Sequence, residues 1–314
     1  MANLKIKFCD VGFENPTVLA SGILGVTASS LKKVVKDGAG GVTTKSIWLE
    51  EHKGHSNPTM LGTENYFINA VGLSDAGIEK ASAETFPEYL DGKSPPGRDL
   101  RPAPIIASIV ASSIDDFGEL AEKIEKCGPD IVEVNISCPN VEDEFGKPFA
   151  CVADDAVAVT KLVKGKISSV PVIVKLSPNV ESIGEIAKAC ADAGADGFCA
   201  VNTYGPGMVI DVDMRMPVLK NKVGGVSGPG IKPLAVKAVY DVFKATGLPI
   251  IGTGGVLSGE DAIEMMMAGA RLVGMGTMVY YRGSEGFGEV VREMDEWCEK
   301  NGVKNIEEII GIIK

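Results

Sequence analysis

An α/β fold closed as a parallel TIM (β/α)8 barrel is the architecture that the 314-residue sequence predicts, and three observations predict it. Short β-branched runs alternate with longer stretches of helical period almost from end to end. Most of these runs hold no interrupting polar residue, which suits strands covered on both faces. The seventh and eighth runs close on paired glycines, where barrels of this kind bind phosphate. A doubly wound open sheet is the competing arrangement.

The first 16 residues read as an extra hairpin capping the barrel floor. Strands are expected over 18–20, 42–45, 105–110, 131–136, 172–176, 197–201, 249–252 and 272–275. Helical periods occupy 29–37, 75–90, 114–127, 154–166, 183–193, 231–246, 259–268 and 284–300, several opened by Ser or Asp caps, and 306–313 reads as a final short helix. Gly-Ala-Asp at 194–196 and Ala-Gly-Ala at 268–270 stand where helices hand over to strands. Two connections, 46–74 and 203–230, far exceed the usual βα loop, so they are expected as long loops at the C-terminal face, where barrels build function. Residues 91–104, rich in Pro, Gly and charge, read as a surface excursion. The length suits either two domains or one large barrel, and the strand count favours one domain over 1–314.

Acidic residues outnumber basic ones 42 to 31, a formal charge of -11 that repels phosphate backbones and anionic lipid surfaces. No nucleic acid and no membrane partner is expected. The opening Met-Ala-Asn-Leu-Lys-Ile-Lys lacks a long apolar core, and no apolar run nears the roughly 18 residues that cross a bilayer, so a cytoplasmic protein is expected. Seven Cys without a Cys-x-x-Cys pair argue against a disulfide scaffold, a zinc ribbon or an iron-sulfur cluster held by this chain alone. His52 and His55 are the two histidines, in a polar segment without a third ligand, so no metal is expected and a solvated loop is the simpler reading. Proton chemistry then falls to Cys, Lys, Ser, Asp or Glu.

Polar residues at the C-terminal ends of barrel strands face one mouth. Those positions hold Ser21, Lys45, Asn135, Ser137, Cys138, Lys175, Asn202 and Thr203. Gly252-Thr253-Gly254-Gly255 and Gly274-Met275-Gly276-Thr277 let backbone amides approach a phosphate, and Gly224-Gly225-Val226-Ser227-Gly228 lies just before the sixth helix. Cys138 follows its strand, precedes Pro139 and stands beside hydrogen-bonding side chains, so its thiol can act as a base, whereas the other six Cys read as inert. Lys45 and Lys175 each end an apolar run, and a bound anion or the electron-rich edge of a reduced ring would compensate the ammonium. A Schiff base on Lys175 is the alternative.

Together these motifs resemble the flavin-dependent dihydroorotate dehydrogenases, from about Phe13 to Tyr281. The resemblance rests on Glu14-Asn15-Pro16, Ala20-Ser21-Gly22, Lys45-Ser46, the loop Asn69-Ala70-Val71-Gly72-Leu73, Asn135-Ile136-Ser137-Cys138-Pro139-Asn140, Lys175-Leu176-Ser177-Pro178-Asn179, Asn202-Thr203 and the glycine clusters. It is closest to the class 1 enzymes, within them to the class 1B catalytic subunit. The membrane-bound class carries Ser in place of the catalytic Cys.

The resemblance implies oxidation of dihydroorotate to orotate in pyrimidine (UMP) biosynthesis, with Cys138 as base and FMN as hydride acceptor. It implies FMN contacts at Ala20, Ser21, Gly22, Lys45, Ser46, Asn135, Lys175 and Val201, with the phosphate on Gly228, Gly254, Gly255, Gly276 and Thr277. Substrate contacts are implied at Lys45, Asn69, Gly72, Leu73, Asn135, Asn202 and Thr203. It also implies a homodimer or a heterotetramer whose partner subunit carries FAD and an iron-sulfur cluster, with fumarate or another soluble acceptor suiting a chain that acts alone. Ser108 stands where class 1 members often carry Asn, and 204–208 is altered. Ala150-Cys151 and the strand through Ser108 are similar to dihydropyrimidine dehydrogenase, an alternative that reduces uracil or thymine. A non-redox phosphosugar barrel and a non-catalytic flavin module are the remaining readings.

Overall fold

The structure, a computed structural model, describes residues 2–91, 103–136 and 153–313. Its strands in chain order are β1 (Ile6–Phe8), β2 (Val11–Phe13), β3 (Thr17–Leu19), β4 (Gly41–Thr43), β5 (Met60–Gly62), β6 (Phe67–Asn69), β7 (Ile105–Ile109) and β8 (Ile131–Asn135). They continue as β9 (Val172–Lys175), β10 (Gly197–Ala200), β11 (Tyr204–Met208), β12 (Ile210–Asp211), β13 (Met216–Pro217), β14 (Val223–Ser227), β15 (Ile250–Thr253) and β16 (Leu272–Met275).

Each of the eight predicted runs forms a strand. β3, β4, β7, β8, β9, β10, β15 and β16 pair in parallel, each with the next, and close into a barrel. The closing pair, Val273 beside Thr17 and Met275 beside Leu19, excludes an open doubly wound sheet. The strands are buried on both faces, so their residues are almost all apolar.

Helices cover the outside because their apolar stripes must be buried somewhere. Caps start them where the sequence places Ser and Thr: Thr27, Ser113 and Ser182 each accept from a backbone N–H three residues on, and Ser258 and Asp261 form a reciprocal capping box. The predicted helix over 75–90 differs. It starts at Ile78, because Asp75 pairs backbone to backbone with His52 while its carboxylate accepts from Trp48 N and Gly77 N. It then widens into a π turn over Ala81–Thr85 before Phe86–Leu90. Pro87 lies at the start of that last piece and offers no N–H to the turn before it, so the hydrogen-bond register shifts instead. The chain ends in a single 3-10 turn, Ile306–Ile309, shorter than the predicted helix.

At the barrel floor, β1 and β2 form the expected hairpin. Phe8 and Phe13 are buried, each such burial contributing roughly 1.5–3 kcal/mol. The Cys9 thiol donates to Asp196 O, and Arg271 Nε donates to Lys7 O, tying the hairpin to the entries of β10 and β16. The two long connections are not loops throughout. β5, β6, β14 and β11 build a four-stranded antiparallel sheet in the order β11-β14-β6-β5, with a small core of its own around Ile68, Ala70 and Leu219. The surface excursion predicted over 91–104 falls largely outside the described residues.

Candidate active site

A cavity of about 320 Å³ opens where the C-terminal ends of the barrel strands meet the antiparallel sheet. The strand ends bring Ala20, Ser21 and Gly22 to its wall from β3, Lys45 and Ser46 from β4, and Asn135 and Lys175 from β8 and β9. Val201, Asn202 and Thr203 follow β10, Gly254 and Gly255 follow β15, and Gly276 and Thr277 follow β16. From the sheet side come Asn69 at the end of β6, then Gly72 and Leu73. Gly228 is the exception: its neighbour Ser227 lines the cavity and it stands one residue behind. Cys138 and Ser137 lie outside the described residues. Met60, Phe67 and Tyr280 also line the wall, and no motif marks them; Phe67 and Tyr280 meet edge to face at 5.1 Å.

The polar wall is organised by hydroxyls. Ser46 Oγ accepts from Asn135 Nδ2 at 2.9 Å and shares hydrogen bonds with Ser108 Oγ at 3.0 Å and Ser21 Oγ at 3.3 Å. Ser108 is fully buried on β7 and does not reach the cavity. Its part is to hold Ser46.

Lys175 has a compensating group that the strand-end reading did not single out. Its Nζ lies 3.7 Å from Glu133 Oε1, two residues before Asn135 on β8, and both side chains are almost wholly buried. The predicted reason for a lysine here, a bound anion or a reduced ring, is therefore not the only compensation. Cys199, paired in register with Lys175 on β10, sits against the same carboxylate. Burial first, and the Glu133 charge second, push the Cys199 thiol up to about 12, so it stays protonated.

The loop after β6 is held from outside. Trp48 Nε1 donates to Leu73 O at 2.9 Å, His55 N donates to Val71 O at 3.0 Å, and His55 Nδ1 lies 3.1 Å from Ala70 O. Trp48 stacks on His52 at 4.6 Å. Both histidines, expected in a solvated loop, thus brace the segment that carries Gly72 and Leu73. Gly72 has φ +71°, and a Cβ there would stand 2.8 Å from His55 N, so the turn requires glycine. Asn179 Nδ2 donates to Thr203 O and Asn179 Oδ1 accepts from Gly205 N, fixing the start of the altered 204–208 segment as it enters β11.

The glycine side of the cavity fits an anion. Gly255 has φ +76°, and a Cβ on it would stand 2.7 Å from Lys232 Cβ and 2.9 Å from Lys232 N. The turn after β15 is therefore pressed against the first residue of the 15-residue helix Lys232–Thr246, whose N-terminal end carries partial positive charge. Lys45 and Lys175 line the same cavity, where a ring that gains negative charge on reduction would meet them. Among the described residues no group of three or more His, Cys, Asp or Glu side chains is placed to hold a metal. No helix among them is long and apolar enough to cross a membrane.

Residues 3–297 match the family model for dihydroorotate dehydrogenase. The chain is 43% identical over 311 residues to the dihydroorotate dehydrogenase B (NAD(+)) catalytic subunit of Methanocaldococcus jannaschii, covering 98% of this chain and 97% of that one. It is 39% identical over 310 residues to the subunit of that name from Pyrococcus furiosus, covering 99% and 98%. The crystal structure of the ligand-free type DHODH of Eimeria tenella superposes with a TM-score of 0.86 over 99% of this chain and 92% of that one; at 22% identity this is a likeness of fold. With its barrel, its cavity and its near full-length match, the chain belongs to the dihydroorotate dehydrogenase family.

Proposed function

We propose that this cavity oxidises dihydroorotate to orotate, a step of pyrimidine biosynthesis, with FMN as the bound flavin. One observation carries the reading: amide and ammonium side chains from both the barrel and the antiparallel sheet converge on one cavity whose other wall is a glycine turn against a helix N-terminus. The matched family and relatives support dihydroorotate over a uracil-type or phosphosugar substrate.

In this reading Gly228, Gly254, Gly255, Gly276 and Thr277 hold the flavin phosphate. Ala20, Ser21, Gly22, Ser46, Lys175 and Val201 would hold its ring, with Lys45 and Asn135 contacting both the ring and the substrate. Asn69, Asn135, Asn202 and Thr203 supply donors and acceptors to the pyrimidine edge, Lys45 balances the carboxylate, and Gly72 and Leu73 help hold the substrate. Cys138, three residues beyond Asn135, takes the C5 proton as a thiolate. The flavin, when bound, supplies the two-electron acceptor for the hydrogen leaving C6.

The relatives are catalytic subunits by name, and a separate chain carrying FAD and an iron-sulfur cluster, in a cytoplasmic heterotetramer, suits a chain with no Cys-x-x-Cys pair. A homodimer passing electrons to fumarate or another soluble acceptor is the alternative. The test is the visible spectrum of the purified protein before and after anaerobic dihydroorotate. Flavin absorbance that bleaches supports the reading. Flavin that stays oxidised, while uracil reoxidises the chemically reduced protein, replaces the substrate. No flavin after reconstitution with FMN overturns the redox assignment.

A further inference from the structure

We infer that Glu133 is a positioning residue for Lys175, setting how much positive charge the cavity wall presents to the bound flavin. The inference rests on the flavin reading above and goes beyond it, because Glu133 itself does not line the cavity.

The geometry is specific. Glu133 is 2% exposed, and among the described residues its Oε1 has no hydrogen-bond partner, while Lys175 Nζ stands 3.7 Å away, too far for a hydrogen bond but close for opposite charges. Its in-register neighbours on β7 and β9 are Ser108 and Ile173, so the carboxylate sits in the barrel interior, below the layer formed by Asn135, Lys175 and Cys199. A buried ion pair is costly to desolvate and is often replaceable by apolar residues of similar volume at no loss of stability. Stability alone therefore gives no reason for Glu133 in a strand otherwise built from Ile, Val and Asn. Lys175 does, because it is the member of the pair that reaches the cavity. The carboxylate keeps the ammonium at the base of the wall and offsets part of its charge. A flavin gains negative charge on reduction, so the net charge of the pair biases the reduced form.

The experiment is a dye-mediated reductive titration of the FMN-loaded protein with a chemical reductant, comparing the parent with Glu133→Gln, Lys175→Met and the double variant. Glu133→Gln is expected to raise the flavin midpoint potential by about 30 mV, tenfold in the ratio of reduced to oxidised flavin for a two-electron couple. Lys175→Met is expected to lower it, and adding Glu133→Gln to Lys175→Met is expected to change it little further. A Glu133→Gln potential equal to the parent's, or an equal shift whether Lys175 is present or absent, overturns the inference. If Glu133→Gln does not fold, recovery of folding in the double variant supports the pairing, and a double variant as unstable as the single overturns it. Because the reductant is chemical, failure of dihydroorotate to bleach the parent sinks the substrate reading and leaves this result standing. A parent that takes up no flavin overturns both.

Discussion

Asn135 Nδ2 donates to Ser46 Oγ at 2.9 Å, and the bond spans two strand ends, β8 and β4, that are separated in the barrel by β7. Ser108 on the intervening strand bonds the same hydroxyl. One serine thereby sets the rotamers of three elements at the mouth. Ser46→Ala leaves the Asn135 amide and the Ser108 hydroxyl with one partner fewer in a buried setting, a loss of roughly 1–3 kcal/mol. The expected outcome is a kcat/KM for dihydroorotate reduced about 10- to 100-fold with the flavin spectrum retained, read from steady-state assays. An unchanged kcat/KM would remove Ser46 from this role.

Asn179 ties Thr203 O and Gly205 N together from outside the cavity. Asn179→Ala frees that segment while touching neither the proposed base nor the flavin cradle. The KM for dihydroorotate should rise about tenfold, the value of one lost net interaction of about 1.4 kcal/mol, with flavin content unchanged. A drop in flavin content with normal KM would reassign Asn179 to the cofactor.

The cysteines separate by environment. Cys199 is pushed up to about 12 by burial and then by Glu133, and Cys9 is pushed up to about 12 by burial and then by Asp196. Neither supplies a thiolate near neutrality. Cys138→Ala should keep the flavin and lose most turnover at pH 7, with activity rising as base strength increases in the buffer. Brief iodoacetamide treatment at pH 7.5 followed by peptide mass spectrometry should label Cys138 while leaving Cys199 and Cys9 unlabelled. Labelling of Cys199 under native conditions would contradict its position in the barrel interior.

Asp261 caps the helix Gly259–Met267 and also pairs with Lys232 at the start of the helix behind the cradle. Burial alone would raise its carboxyl. Hydrogen bonds from Lys232, Leu257 N and Ser258 nevertheless carry it below the ordinary range. The folded-state value lies below the unfolded one, near 3.9, so the stabilisation is fully present above about pH 4 and is lost as pH falls through the folded value. Asp261→Asn should cost about 1 kcal/mol at pH 7, and the gap to the parent should narrow on acidification below pH 4. Thermal melts at pH 7 and near pH 3 test this; a gap that widens at low pH would reverse the sign.

The barrel was legible because its strands announce themselves. Val172–Lys175 is an apolar run that ends on a polar residue, Leu272–Met275 is apolar and runs into a glycine turn, and Ile105–Ile109 is interrupted only by Ser108. The antiparallel sheet was not legible. Met60–Gly62 and Phe67–Asn69 are three residues long, Tyr204–Met208 contains Gly205, Pro206 and Gly207, and β6 pairs with β14 across more than 150 residues of chain. Such strands carry no alternation to read, and their stability comes from one another. Asn69, Gly72 and Leu73 were found only through the family motif. Glu133 was overlooked for a related reason: one acidic residue in a run of Ile and Val has no meaning until the register sets it two residues behind Asn135, whose in-register partner on β9 is Lys175.

The closing pair of the barrel, β16 against β3, continues directly into the mouth: Ala20 N donates to Met275 O, and the next residues on both sides, Ser21 and Gly276, line the cavity. The ring is thus fastened where its first and last strands meet, the barrel strand pairing of greatest sequence separation and the one among them that loop-closure entropy opposes most. Anything bound across Ala20 and Gly276 acts as a clasp on that fastening. Occupancy of the mouth and integrity of the ring become linked, so a ligand that bridges the two sides stabilises the closed ring.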